Sequence, residues 1–146
     1  MAEGHVVRGT SRDSGHVPAL EAAGVEAFVG DPDRVGTIVP ALQQVSVACL
    51  LLGSAVGDPD RIAALHGPRL EMLLEKMIDT TVRGIVYEAG GTAAPAVLQR
   101  GGELVSMACQ RSRIPYELID ADPSDHGAWM RVAERAVERV MASRRR

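Results

Sequence analysis

Apolar residues recur along this chain in two rhythms, one of helices and one of strands. Near the C-terminus Trp129, Val132, Ala133, Ala136, Val137, Val140 and Met141 fall on one helical stripe, with Arg131, Glu134, Arg135, Glu138 and Arg139 on its wet side. Behind Pro68, the residues Leu70, Leu73, Leu74, Met77 and Ile78 follow the i, i+3, i+4, i+7, i+8 spacing and predict a second helix. A third runs from Pro95 to Gln110, with Val97, Leu98, Leu104, Val105, Ala108 and Cys109 apolar. Its Gly101-Gly102 pair weakens it by about 1 kcal/mol per glycine relative to alanine, while leaving room for close helix–sheet packing. Shorter helical pieces are predicted over Pro18 to Ala23, over Val35 to Gln44 and over Pro59 to Leu65. Gly24 stops the first, and Pro40 shortens or kinks the second.

Between these pieces lie short β-rich runs: Val6 to Thr10, Val25 to Val29, Val45 to Leu52, Gly84 to Tyr87 and Tyr116 to Ile119. Val45 to Leu52 is apolar but for Ser46, the pattern of a strand covered on both faces. Strands alternating with helices in this way predict an α/β domain with a parallel sheet. No linker or low-complexity stretch interrupts residues 1–146, which read as one domain. One short repeat marks the connections: Gly-Asp-Pro-Asp-Arg occurs at Gly30 to Arg34 and at Gly57 to Arg61, and Asp122-Pro123 echoes its core. Asp accepts hydrogen bonds from the free N–H groups of a helix start, and Pro suits the first helical position, so these residues read first as caps. They also sit on the rim where strands end, the place where open α/β sheets bind ligands.

Composition narrows the classes. The 146 residues suffice to bury about two thirds of the unfolded surface. Phe28, Tyr87, Tyr116 and Trp129 are the only aromatics, so the core is built from aliphatic residues and Met. A formal net charge of −3 gives no electrostatic reason to expect nucleic acid, and Arg144-Arg145-Arg146 reads as a solvated tail. No apolar run is long enough to span a bilayer and no signal-peptide pattern is visible, which makes the cytoplasm the expected compartment. Cys49 and Cys109 lie far apart in apolar stretches and read as buried free thiols. The four histidines, His5, His16, His66 and His126, show no metal-ligand spacing, so no metal is expected. Ser124-Asp125-His126 forms no nucleophile elbow and reads as the start of the last helix.

The order of parts resembles a family. Val6 to Arg12, then Ala23-Gly24-Val25-Glu26, then Gly30-Asp31, then the apolar strand ending Leu52-Gly53-Ser54, and finally Ile114 to Ile119 resemble the NAD(P)-binding Rossmann proteins. The match is nearest to the extended or atypical short-chain dehydrogenases and NAD-dependent epimerases, and it covers nearly the whole chain. Met1 to Gly4 resembles the end of that family's first helix. The resemblance implies a Rossmann-like three-layer domain with a parallel sheet of about five strands. It implies an adenosine end at three rims. Thr10, Ser11 and Arg12 would approach the ribose, with Arg12 suited to a 2′-phosphate and hence to NADP over NAD. Asp31 would accept from the adenine amino group, and Leu52, Gly53 and Ser54 would line the floor beside the cofactor.

Departures from the family pattern are as informative. The Gly-rich pyrophosphate turn should stand roughly 20 residues before the ribose-reading position, and counting back from Arg12 passes Met1. Gly4, Gly9 and Gly15 form neither GxGxxG nor GxxGxxG. The expectation is therefore a domain lacking the family's first strand and first helix. Either the recorded start is internal to a longer protein, or the protein closes its sheet differently. The family would also imply an oxidoreductase or epimerase with a Tyr-x-x-x-Lys pair. Yet Met72 stands four residues before Lys76, the only lysine, and Gly91 follows four after Tyr87. A phenol needs a nearby cation to act as acid or base near neutral pH, so Tyr87 reads as a strand residue. The expectations are an NAD(P)-binding-type domain that is not a competent oxidoreductase in this form, or a non-catalytic interaction or regulatory protein on the same scaffold. Dinucleotide binding should be weak, with NADPH preferred through Arg12. If the chain folds alone, the strands at Val6 to Thr10 and Val45 to Leu52 should be neighbours, giving five parallel strands, because unpaired groups in a buried centre cost about 1–3 kcal/mol each. The apolar surface left by the missing first strand and helix, notably around Val45 to Leu52, should favour a homo-oligomer.

Overall fold

The computed structural model describes residues 4–144. Along the chain stand β1 (Arg8–Ser11), α1 (Val17–Ala22), β2 (Glu26–Val29), β3 (Ala48–Leu50), α2 (Pro59–Leu65), α3 (Pro68–Ile78), β4 (Ile85–Glu88), α4 (Pro95–Ser112), β5 (Tyr116–Ile119) and α5 (His126–Arg144). The expected helix end at Met1 to Gly4 lies, but for Gly4, outside the described residues, as do Arg145 and Arg146 of the basic tail. Most elements stand where the hydrophobic rhythm puts them, and α2 and β5 match it residue for residue. Val35 to Gln44 does not form the expected helix. Two 3-10 turns, Val35–Thr37 and Val39–Leu42, replace it. Pro40 has no N–H to continue a helical ladder, and the chain leaves the second turn extended at Gln43.

β4 is the middle strand of a parallel sheet ordered β3-β4-β5, and all four of its residues are buried. Its alternation divides the core. Ile85 and Tyr87 join Leu70, Leu73, Leu74, Met77, Val105 and Cys109 beneath α3 and α4. Val86 joins Ile119, Ala136 and Val140 beneath α5. The result is a three-layer α/β arrangement around this sheet.

The single five-stranded sheet is not formed. β1 pairs in parallel with β2 only, and β3 pairs in parallel with β4 only, so two sheets of two and three strands stand apart. Side-chain contacts tie them instead. The Arg8 guanidinium lies over the Phe28 ring at 5.0 Å and donates to the carbonyls of Ala41 at 3.1 Å and Gln43 at 2.7 Å. At the other end of the strands Arg61 Nε meets Asp33 Oδ2 at 2.8 Å, joining the segment after β2 to the one after β3. The apolar run at Val45 to Leu52 is correspondingly not covered on both faces. Ala48 and Leu50 are buried on the α3 side, but Cys49 is exposed and Leu51 is 47% exposed, because α5 lies over β4 and β5. The reading of Cys49 as a buried thiol is thus corrected, whereas Cys109 is buried as expected.

Candidate functional site

Parallel strands bring their C-terminal ends to one rim. β4 ends in Glu88, a carboxylate that the apolar strand carries into the interior, where it is buried. Its Oε1 accepts from the Gly53 N–H at 2.8 Å and its Oε2 accepts from the Trp129 indole N–H at 2.9 Å. One side chain thereby joins the loop after β3, the end of β4 and the first turn of α5. Gly53 permits this approach: a Cβ there would stand 2.9 Å from the Glu88 carboxyl carbon and collide with the Gly90 carbonyl. The Gly53 carbonyl also accepts from the Ala93 N–H at 3.1 Å, and the Thr92 N–H reaches Ser54 Oγ at 3.3 Å.

A second polar pair lies beside the first on the other face of β4. Tyr87 is fully buried, and its hydroxyl lies 2.5 Å from His66 Nδ1. His66 Nε2 lies 2.9 Å from the Leu52 carbonyl. A carbonyl only accepts, so Nε2 carries the proton, and Nδ1 accepts from the Tyr87 hydroxyl. Burial pushes the His66 pKa below its ordinary 6.5, outweighing the Leu52 bond and the Glu88 charge, which raise it. Burial, and secondarily the Glu88 charge, pushes the Tyr87 phenol up to about 12. Both groups are therefore neutral near neutral pH. The pair holds Leu52 in place, and Tyr87 stands in a strand as expected.

The residues expected to meet a cofactor fall into two groups. Leu52, Gly53 and Ser54 sit together on the loop just described, with their inward backbone groups already engaged. Thr10, Ser11 and Arg12 stand at the end of β1. Ser11 Oγ contacts His16 Nδ1 at 2.9 Å and accepts from the Asp13 N–H at 3.2 Å, whereas the Arg12 side chain is exposed and makes no hydrogen bond or ion pair among the described residues. Asp31, after β2, is not a helix cap: its Oδ1 accepts from the Asp33 N–H at 2.9 Å and closes a local turn. No hydrogen bond joins Thr10, Ser11 or Arg12 to Leu52, Gly53 or Ser54 among the described residues. None of the seven lines the groove of about 840 Å³ that runs between α4 and β5.

His66, Glu88 and Trp129 escaped the sequence reading as site residues. The available signals were a histidine between two helical runs and a carboxylate ending an apolar strand, neither of which matches a spacing motif. Ser124-Asp125-His126 does open the last helix, where Asp125 Oδ1 accepts from the Ala128 N–H at 3.1 Å. Among the described residues no cluster of three or more His, Cys, Asp or Glu could hold a metal ion, and no helix is long and apolar enough to cross a membrane.

No family model matches this sequence, and no curated protein matches it. Solved structures do. The crystal structure of gox2253 superposes with a TM-score of 0.67 at 18% identity, covering 82% of this chain and 44% of that one. The Citrobacter sp. triphenylmethane reductase, solved in complex with NADP(H), superposes with a TM-score of 0.58 at 19% identity, covering 77% of this chain and 39% of the reductase. A second structure, from work on bioremediation of triphenylmethane dyes by that reductase, gives 0.58 at 20%, covering 77% and 38%. The chain spans less than half the length of the structures it matches. At these identities the likeness establishes the fold alone, a Rossmann-like α/β fold.

Proposed function

We propose that this chain is a cytoplasmic NAD(P)-binding-type domain, related in scaffold to the atypical short-chain dehydrogenases, that takes the adenosine end of a dinucleotide and is not a competent oxidoreductase in this form. The observation that carries the reading is the exposed Arg12 guanidinium, without a partner among the described residues, at the end of β1. An arginine at that position in a Rossmann fold suits a 2′-phosphate, with Thr10 and Ser11 beside the ribose and Asp31 toward the adenine. The pyrophosphate fits less well. Its usual cradle is a set of free backbone N–H groups at a helix start, whereas the Gly53 N–H is held by Glu88. Binding is therefore weak and concentrated in the 2′-phosphate.

Calorimetric titration with NADPH, NADH, 2′,5′-ADP and 5′-AMP tests this. The 2′-phosphorylated ligands should bind about tenfold tighter than their counterparts, and Arg12→Ala should abolish the difference, the loss of one charge-assisted contact. Submicromolar NADH binding, or a preference that survives Arg12→Ala, would overturn the proposal. A second reading, a non-catalytic interaction protein on the same scaffold, is favoured by the sealed Tyr87–His66 pair, which keeps the Tyr87 phenol from chemistry.

A further inference from the structure

β5 is the outer strand of its sheet, and its free edge runs between two helices. The Pro115 carbonyl accepts from the Ile85 N–H, and the Ile119 carbonyl accepts from the N–H groups of Ala89 and Gly90. With Tyr116 opposite Ile85 and Leu118 opposite Tyr87, the alternation of a parallel ladder turns the N–H and C=O of Tyr116 and Leu118 outward. No group among the described residues takes them. Grooves flank this edge on both faces. On the α4 side the groove of about 840 Å³ includes Leu98, Gly102, Met107 and Leu118. On the α5 side one of about 520 Å³ lies among Ile114, Glu117, Arg139 and Val140. Met107 and Leu118 are 58% and 41% exposed, large apolar side chains on the wall of the larger groove. The charged residues lining that groove are Glu103 and Asp120, with no cation among them.

We propose that the β5 edge is a docking site for an extended strand of a partner polypeptide, one whose α4-facing residues combine apolar and cationic side chains. An added strand would pair with the outward groups of Tyr116 and Leu118, and its alternate side chains would fall into the two grooves. The larger groove selects an apolar residue against Met107 and Leu118 and a lysine or arginine against Glu103 and Asp120. A second copy of this chain fits badly. On the face toward the larger groove its β5 brings Leu118 and Asp120, a carboxylate and no cation, so pairing would add negative charge beside Glu103 and Asp120.

The test uses isotopically labelled protein and two synthetic peptides, acetyl-Thr-Lys-Val-Val-Val-Lys-Thr-amide and its counterpart with glutamate for both lysines. The lysine peptide should bind about tenfold tighter at low salt, with the difference shrinking as salt screens the charges. It should slow amide hydrogen exchange at Tyr116 and Leu118, leaving Glu117 and Ile119, already in the ladder, unchanged. Glu103→Lys, on the exposed side of α4, should reduce the lysine preference by about threefold or more. Equal affinity for the two peptides, or unchanged exchange at Tyr116 and Leu118, would overturn the proposal. So would protection of those amides in the free protein: independent of concentration it would mean the chain's own covering, and rising with concentration a second copy.

Discussion

Gly101 and Gly102 are adjacent in α4, and alanine at the two positions should change stability in opposite directions. On an isolated helix each replacement would stabilise by about 1 kcal/mol. At Gly101 an added Cβ would stand 2.7 Å from Tyr87 Cζ and closer still to the phenol oxygen. The ring is fully buried and its hydroxyl is held by His66, so it has no free space to retreat into. Overpacking of this kind costs about 1–3 kcal/mol. If the ring does shift, His66 Nδ1 loses its donor inside the protein, about 1–3 kcal/mol more. At Gly102 the nearest atom is Leu118 Cδ1 at 3.5 Å, an ordinary contact, so the helix gain survives. Gly101→Ala should therefore destabilise by about 1–4 kcal/mol and Gly102→Ala stabilise by up to about 1 kcal/mol. Urea unfolding followed by far-ultraviolet circular dichroism measures both. Tyr87→Phe supplies a cycle: alone it should destabilise, but in the Gly101→Ala background it removes the clashing oxygen and should cost less or nothing. A Gly101→Ala variant as stable as Gly102→Ala would refute the packing argument.

Two further outcomes follow from the same interior. Because the native His66 pKa lies below 6.5, the unfolded chain takes up a proton that the native state refuses; stability is full above about pH 6.5 and falls as pH drops toward the lowered native value, by at most about 1.4 kcal/mol per pH unit. His66→Gln should flatten that slope in urea titrations across pH 5–7, and an unchanged slope would count against His66 as its source. Surrounding atoms push both thiols up, Cys109 to about 11, but only Cys49 is exposed, on the uncovered face of β3, so it should react with a thiol reagent in the native protein and Cys109 only on unfolding. If the open β3 face mediates the expected self-association, the Cys49 rate should fall with rising protein concentration; equal rates for the two thiols would refute the assignment of faces.

What the sequence disclosed was local. Helices α3 and α5 could be found because their apolar stripes persist over several turns, and β5 because Tyr116 to Ile119 is a compact β-rich run bounded by Pro115. What it concealed depends on partners remote along the chain. Glu88 bonds residues 35 and 41 positions away, and His66 meets Tyr87 across 21. Such distances obey no helical or strand period. Coverage is concealed for the same reason: Cys49 sits in as apolar a context as Cys109, yet α5 lies over β4 and β5 and leaves Cys49 exposed, whereas Cys109 is buried in the cluster beneath α3 and α4.

The repeated pentapeptide shows how far a local motif can be trusted. In Gly57 to Arg61, Asp58 Oδ1 accepts from the Arg61 N–H at 2.9 Å and caps α2, because Ile62-Ala63-Ala64-Leu65 can continue a helix. In Gly30 to Arg34 the same letters close a turn from Asp31 to Asp33, because Gly36 and Pro40 prevent the following residues from extending beyond 3-10 turns. Capping was thus legible at one copy and not at the other. The side chain that neither local role uses, that of Arg61, pairs with Asp33 of the first copy and also donates to the Val56 carbonyl at 2.8 Å. Both partners are about three-quarters buried, so the pair is shielded from salt more than a surface bridge. Its consequence is architectural: where no ladder joins β1 to β3, the fourth residue of one copy and the fifth of the other hold the ends of the two sheets on a common rim.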